Sequence, residues 1–269
     1  MTPSPDAVSA VIREVAERVV LPRFKRLAAH EISEKKAGDI VTIADEEAEL
    51  ALERALGGLL PGSAVVGEEA VSKRPGALAA IGGAAPVWIV DPVDGTQNFA
   101  DGDSCFAMIV ALVRGQETVA GWIHEPVTAT TVWAVRGEGA HEGAARLRLG
   151  PTAELATMKG SLGKRHIQRL RHAPRPAERE IAGSALRYRC VGAEYADLAR
   201  GKLHFARYGG MPKPWDHAAG VLIHAEAGGH GAVTETGKPY RPLPELRAQT
   251  LLLAPDAARW RELKAMFSD

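Results

Sequence analysis

The stretch Trp88-Ile89-Val90-Asp91-Pro92-Val93-Asp94-Gly95-Thr96 decides how this 269-residue chain is read. Together with Val87 it begins as an apolar run, which reads as a buried strand. The run ends in a carboxylate, Asp91, and Pro92 fixes the turn that follows. A second carboxylate, Asp94, stands three positions later, and Gly95 and Thr96 open the next element. Two carboxylates on a stiff turn suit a pair of hard cations. A helix starting at Gly95 and Thr96 would turn free N–H groups toward the same spot, where a phosphate oxygen can be held.

Working outward, other carboxylates occupy equivalent places. Ala64 to Gly67 reads as a short strand that delivers Glu68 and Glu69. Asp39 to Thr42 is extended, and Asp45 starts a helix that runs to about Leu56 and is stopped by Pro61-Gly62. Asp216 follows Trp215 at the start of a helix reaching Ala227. Each acid lies at the end of an apolar element, where it can point into a cleft between secondary structures.

The remaining pattern predicts two halves. Ser4-Pro5-Asp6 opens an amphipathic helix within the first thirty residues. Phe106 to Val113 and Thr118 to His124 form a hairpin around Arg114-Gly115-Gln116, and Thr130 to Val135 adds a third antiparallel strand. Residues 1–145 therefore read as an α+β half holding most of the candidate ligands. Residues 146–269 read as a smaller α/β half that supplies Asp216. Its short strands are expected near 158–161, 203–206, 231–233 and 250–253, with helices over 164–171, 184–199, 216–227 and 256–266. Arg171 to Arg179 reads as a surface loop.

Composition narrows the function classes. Lys plus Arg and Asp plus Glu number 33 each, so no net field attracts nucleic acid or an anionic membrane. Basic residues do crowd Lys164 to Arg179. The two cysteines, Cys105 and Cys190, lack metal-ligand spacing and read as buried reduced thiols of a cytoplasmic protein. No apolar run approaches the roughly 18 residues of a membrane span. The chain has no Gly-x-Ser-x-Gly elbow, Walker-type loop or Cys-x5-Arg, so the chemistry on offer is that of carboxylates, metals and water.

Taken together, the motifs resemble those of the inositol monophosphatase family. They are Asp39-Ile40-Val41-Thr42-Ile43-Ala44-Asp45, Glu68-Glu69 after a Gly, Asp91-Pro92-Val93-Asp94-Gly95-Thr96, Gly183-Ser184-Ala185 and Trp215-Asp216-His217-Ala218-Ala219-Gly220, in order over most of the chain. The resemblance implies a layered αβαβα sandwich, usually a homodimer, and a Mg²⁺-dependent, lithium-sensitive phosphatase of small phosphomonoesters. It also implies that Glu68, Asp91 and the Val93 carbonyl hold a first Mg²⁺, and that Asp91, Asp94 and Asp216 hold a second. Glu68 would support a third, weaker site. Asp45 and Thr96 would orient and deprotonate the attacking water, and the Gly95 and Thr96 N–H groups would grip the phosphate. Ser184 and Ala185 would lie on the substrate side, where Arg187 and Lys213 are further candidates from the residues themselves.

One departure concerns the substrate. Inositol-type members carry a Glu seven residues before the Trp-Asp aspartate, and Gly209 stands there here. Lys213, Arg207 and Arg187 are candidates to face an anionic or polar leaving group instead. The alternatives are the same chemistry on a 3′-phosphonucleotide, histidinol phosphate or fructose bisphosphate. A regulatory member binding RNA or protein through Lys164 to Arg179 is an alternative of another class.

Overall fold

The computed structural model describes residues 2–36, 38–150 and 154–267. Helix α1 (Pro5–Val15) is capped by Ser4, whose side chain accepts from the Ala7 N–H at 3.2 Å, with Pro5 in the first turn. It runs on through one wide turn and a short tight one to Arg23. Pro22 then denies the helix a donor, so the expected amphipathic pattern stops there. Strands β1 (Ile32–Lys36) and β2 (Asp39–Thr42) form an antiparallel ribbon, of which only the second was expected. Helix α2 (Ile43–Leu59) follows, then β3 (Ala64–Gly67), α3 (Glu68–Lys73), β4 (Val87–Asp94) and α4 (Thr96–Asp101). The chain continues as a meander of β5 (Ala107–Arg114), β6 (Glu117–Glu125), β7 (Thr130–Val135), β8 (Gly139–Glu142) and β9 (Ala145–Leu147). The β5–β6 turn sits at Gly115 and Gln116, both left-handed, the geometry a two-residue hairpin asks for.

The second stretch comprises β10 (Gly160–Ser161), α5 (Lys164–Arg171), α6 (Pro176–Ser184), α7 (Val191–Ala199), β11 (Phe205–Tyr208), α8 (Pro214–Glu226), β12 (His230–Val233), β13 (Leu251–Ala254) and α9 (Ala257–Phe267). Two expectations fail here. The expected loop over 171–179 is half helix, because Pro176 supplies the first turn of α6. The expected helix over 184–199 is broken between Ser184 and Val191. Leu186 bridges to Ser161, Arg189 is left-handed at φ +58, and Cys190 caps α7 through its sulfur.

Strands β3 to β9 form one seven-stranded sheet in sequence order, antiparallel except between β3 and β4. A four-stranded sheet has the order β10-β11-β13-β12. Helices α1 and α2 cover the outer face of the large sheet, and α7 and α8 fill the space between the sheets. Helices α5, α6 and α9 close the far face of the small sheet. The result is the expected αβαβα layering. It also explains why β4 is apolar without alternation: Trp88 and Val90 pack toward α1 and α2, while Val87 and Ile89 pack toward α7 and α8.

Close approach of α8 sets the position of its first turn. A Cβ on Gly121 of β6 would stand 2.8 Å from the Ala219 Cα, and one on Gly220 would stand 2.1 Å from the Tyr195 ring of α7. Gly121→Ala is therefore expected to push α8 off the sheet. The cost should be about 2 kcal/mol of overpacking, or roughly 4–8 °C in Tm, measured by thermal unfolding. An unchanged Tm would show that the helix is not seated by this contact.

Candidate active site

The ends of four elements converge. Asp91 closes the apolar run of β4, Glu68 begins α3 directly after β3, and Asp216 lies in the first turn of α8. One carboxylate oxygen from each comes within 4.8 Å of the other two. Asp91 is buried, whereas Glu68 and Asp216 are partly so. Burial holds the carboxyls of Asp91 and Asp216 well above their ordinary range, and Glu68 adds repulsion to each. Such a cluster calls for a cation.

The neighbouring chain orders these groups. The Asp91 Oδ1 accepts the Val93 N–H at 3.1 Å, fixing the Asp-Pro-Val turn. Thr96 Oγ1 lies 3.0 Å from the Val93 carbonyl and 3.1 Å from Asp45 Oδ1. Asp45 sits at the third position of α2, where its Oδ2 accepts the Thr42 N–H at 2.9 Å and the Thr42 hydroxyl at 2.5 Å. The cap thus aims Oδ1 at Thr96. Burial raises the Asp45 carboxyl to about 7, partly offset by the Thr42 bonds. Gly95 is left-handed at φ +88, and a Cβ there would meet the Cys105 carbonyl at 3.0 Å and Cys190 Cβ at 3.1 Å, so only glycine fits.

Asp94 is placed differently from the triad. Its Oδ2 accepts the Gly192 N–H at 2.5 Å and the Cys190 thiol at 3.1 Å, which ties β4 to the start of α7. Its carboxyl is raised to about 6, burial outweighing these bonds. Cys190 is buried as expected, but Cys105 beside it is only half-buried.

Two ammonium groups border the cluster. Lys35 of β1 reaches Glu68 at 3.2 Å and Glu69 at 2.6 Å, and Lys213 reaches Glu68 at 3.6 Å while lying over the Trp215 ring. Burial alone would lower both ammoniums, yet the surrounding carboxylates keep them raised. The expected substrate-side residues separate. Arg187 lines a cavity with Asp216, and Lys213 lies on the cluster's edge. Ser184 ends a helix instead of starting one, its hydroxyl donating to the Met158 and Ile181 carbonyls at 2.8 and 3.2 Å. Ala185 packs with that helix in the outer core. In the structure both residues thus make contacts within the fold, Ser184 at the helix end and Ala185 against the outer core.

Sequence reading missed Glu49. Its two oxygens accept the N–H groups of Glu69 (2.8 Å) and Ala70 (2.7 Å), so a carboxylate from α2 caps α3 and orients Glu68. Gly67 makes room for it, since a Cβ there would lie 2.1 Å from Glu49 Oε2. The signal was present: Glu49 stands four residues after Asp45, on the same helical face.

The donor set fits a hard divalent cation. Among the described residues, the one cluster with ligand geometry is all carboxylate, without His or Cys. Oxygen-only donors suit Mg²⁺, Ca²⁺ or Mn²⁺ and not zinc. No helix among the described residues is long and apolar enough to cross a membrane.

Comparison with known proteins places this geometry. The model of the inositol monophosphatase family matches residues 6–265. A fructose-1,6-bisphosphatase/inositol-1-monophosphatase of Thermotoga maritima is 32% identical over 204 residues, 73% of each chain. An inositol-1-monophosphatase of Caulobacter vibrioides is 34% identical over 222 residues, covering 80% of this chain and 83% of its own. Among solved structures, a Thermotoga maritima IMPase superposes with a TM-score of 0.80 at 23% identity, over 97% of this chain and 96% of that one.

Proposed function

The chain belongs to the inositol monophosphatase family, and on that footing we propose that it is a Mg²⁺-dependent phosphomonoesterase that hydrolyses a small soluble phosphate ester by direct attack of water. The observation that carries the proposal is the meeting of Glu68, Asp91 and Asp216 within 4.8 Å, beside the Asp45–Thr96 pair. Glu68, Asp91 and the Val93 carbonyl are suited to hold one ion, and Asp91, Asp94 and Asp216 a second, with Glu68 open to a weaker third. Bound Mg²⁺ supplies Lewis acidity, acidifying water and neutralising charge on the phosphoryl oxygens.

The chain's own groups supply orientation and proton transfer. Thr96 Oγ1 has a single hydrogen, and when it donates to Asp45 Oδ1 its lone pairs are free to accept from the attacking water. As water oxygen bonds to phosphorus, its proton passes to Thr96 and the Thr96 proton to Asp45. The bond from phosphorus to the ester oxygen breaks, the leaving alkoxide takes a proton from solvent water, and Asp45 returns its proton to solvent, giving alcohol and inorganic phosphate. The Gly95 and Thr96 N–H groups are the proposed grip on the phosphoryl group in line with this attack. A homodimer, sensitivity to Li⁺ and a cytoplasmic location belong to the same proposal.

The test is phosphate release from inositol 1-phosphate, glycerol 2-phosphate, histidinol phosphate, fructose 1,6-bisphosphate and adenosine 3′,5′-bisphosphate. Release is expected with Mg²⁺, lost with EDTA, and restored by excess Mg²⁺. Release that persists in EDTA would remove the metal from the mechanism.

A further inference from the structure

We infer that Asn98 is a positioning residue of the proposed reaction: its side-chain amide ties α4 to two loops and so holds the Thr96 hydroxyl on the line from the attacking water to Asp45. The inference rests on the phosphatase reading above and deepens it. That reading gives Asn98 no contact with the reacting atoms, and it acts through Thr96.

Helix α4 has little of its own to hold it. It is six residues long, and its N-cap, Gly95, has no side chain to cap with. A helix this short is marginal in isolation, so its direction is set by what grips it from outside. Two side chains do so. Phe99 is buried, its ring centroid 5.8 Å from that of Phe24 and 5.0 Å from that of Phe106. Apolar packing holds the helix down without fixing its rotation, since the hydrophobic effect has no direction. Asn98, 3% exposed, supplies the direction: its Nδ2 donates to the Cys105 carbonyl at 2.7 Å and to the Tyr188 carbonyl at 2.8 Å.

The residue type follows from this geometry. Two buried carbonyls meet one neutral atom with two hydrogens, which an amide provides; a hydroxyl has one hydrogen and a carboxylate none. The Tyr188 carbonyl belongs to the segment whose Cys190 thiol and Gly192 N–H hold Asp94. The contacts therefore close a circuit from Asp94 through Gly95, α4, Asn98 and Tyr188 to Cys190 and back. Thr96 stands inside it, two residues from both Asp94 and Asn98. Its Oγ1 lies 3.1 Å from Asp45 Oδ1, across the gap from α4 to α2. That is the far end of the reach for proton transfer, about 2.6–3.2 Å, so a small rotation of α4 breaks the relay.

The experiment measures kcat and KM with Mg²⁺ on whichever of the five compounds above the parent cleaves fastest. Asn98→Ala is expected to lower kcat about 10- to 100-fold, up to what a misplacement of about 1 Å costs. KM should change less than about threefold. Asn98→Ser keeps one of the two hydrogens and should fall between Asn98→Ala and the parent. In a Thr96→Val background, which lacks the hydroxyl, adding Asn98→Ala should cost less than about threefold more, because residues that act as a unit are not additive. A full-sized loss in that background, a loss carried by KM, or an unchanged kcat in folded Asn98→Ala overturns the inference and leaves the phosphatase reading standing. Asn98→Ser takes the place of Asn98→Ala throughout if the latter does not fold. The split between kcat and KM decides alone if Thr96→Val releases nothing measurable. No release by the parent from any compound with Mg²⁺ overturns both readings.

Discussion

Asp216→Asn is expected to lower kcat/KM for phosphate release by well over about 100-fold while leaving metal-free protein at least as stable as the parent. The first half follows from the residue's place. Asp216 is the only carboxylate that α8 brings to the cluster, and its oxygen lies within 4.8 Å of those of Glu68 and Asp91. Mutations of groups that merely support metal ligands typically cost 10–100-fold, so replacing a proposed ligand sets that as a floor. The second half follows from charge. Burial and the Glu68 carboxylate hold the Asp216 carboxyl well above its ordinary range, only partly relieved by Lys213. An amide of the same shape relieves that repulsion and gives up a helix-terminus interaction of about 0.3–1 kcal/mol. Phosphate release and metal-free Tm should be read on the same preparations. Activity within tenfold of the parent would mean that Asp216 is not at the reacting centre. A collapsed Tm would mean that it serves the fold.

The parts of this site that were legible in sequence share a physical cause. Asp91 stands out because β4 is buried on both faces, so its apolar run is unbroken until the carboxylate. Asp45 and Asp216 occupy first-turn positions that local capping chemistry already favours. The groups that escaped depend on contacts distant in sequence. Ile32–Lys36 is mostly polar and open to solvent, so nothing marked it as a strand, or Lys35 as a counter-ion 33 residues before Glu68. The helical pattern over 184–199 and the Gly183-Ser184-Ala185 motif both put a helix start at Ser184. The strand-like bridge of Leu186 to Ser161 instead interrupts the chain there, and Cys190 starts the next helix. The layer order was legible only through the family resemblance. Periodicity reports which face of an element is apolar, not which element covers it.

Mg²⁺ should change the pH dependence of stability as well as its level. In the unfolded chain the site carboxyls titrate near 3.8 to 4.5, whereas in metal-free protein Asp45 and Glu49 are raised to about 7 and Asp94 to about 6, chiefly by burial. Asp91 and Asp216 are also held high. The folded state therefore binds more protons than the unfolded state between these limits, and stability falls as pH rises through the folded values. Buried histidines act in the opposite sense. His124 and His224 are lowered to about 4 and His217 to about 3, so their contribution is lost as pH falls below 6.5 and is constant above it. The five raised carboxyls outnumber the three lowered histidines. Metal-free protein is therefore expected to lose stability as pH rises from the acid side, and to go on losing it above pH 6.5, where the histidines no longer oppose the fall. Between pH 6.5 and 8 it should lose on the order of 3 kcal/mol, or roughly 6–12 °C in Tm. Saturating Mg²⁺ requires ionised ligands and rewards them, so it should remove most of this alkaline limb and raise Tm more at pH 8 than at pH 6. Glu194, raised to about 7 by burial and bonded outside the cluster, keeps its own small share of the fall in either condition. Thermal unfolding in EDTA and in Mg²⁺ across pH 5.5–8.5 checks the sign directly. A metal-free Tm that stays level or rises above pH 6.5 would show that Lys35 and Lys213 already neutralise the cluster. The carboxylates would then have no need of a cation to stay folded together.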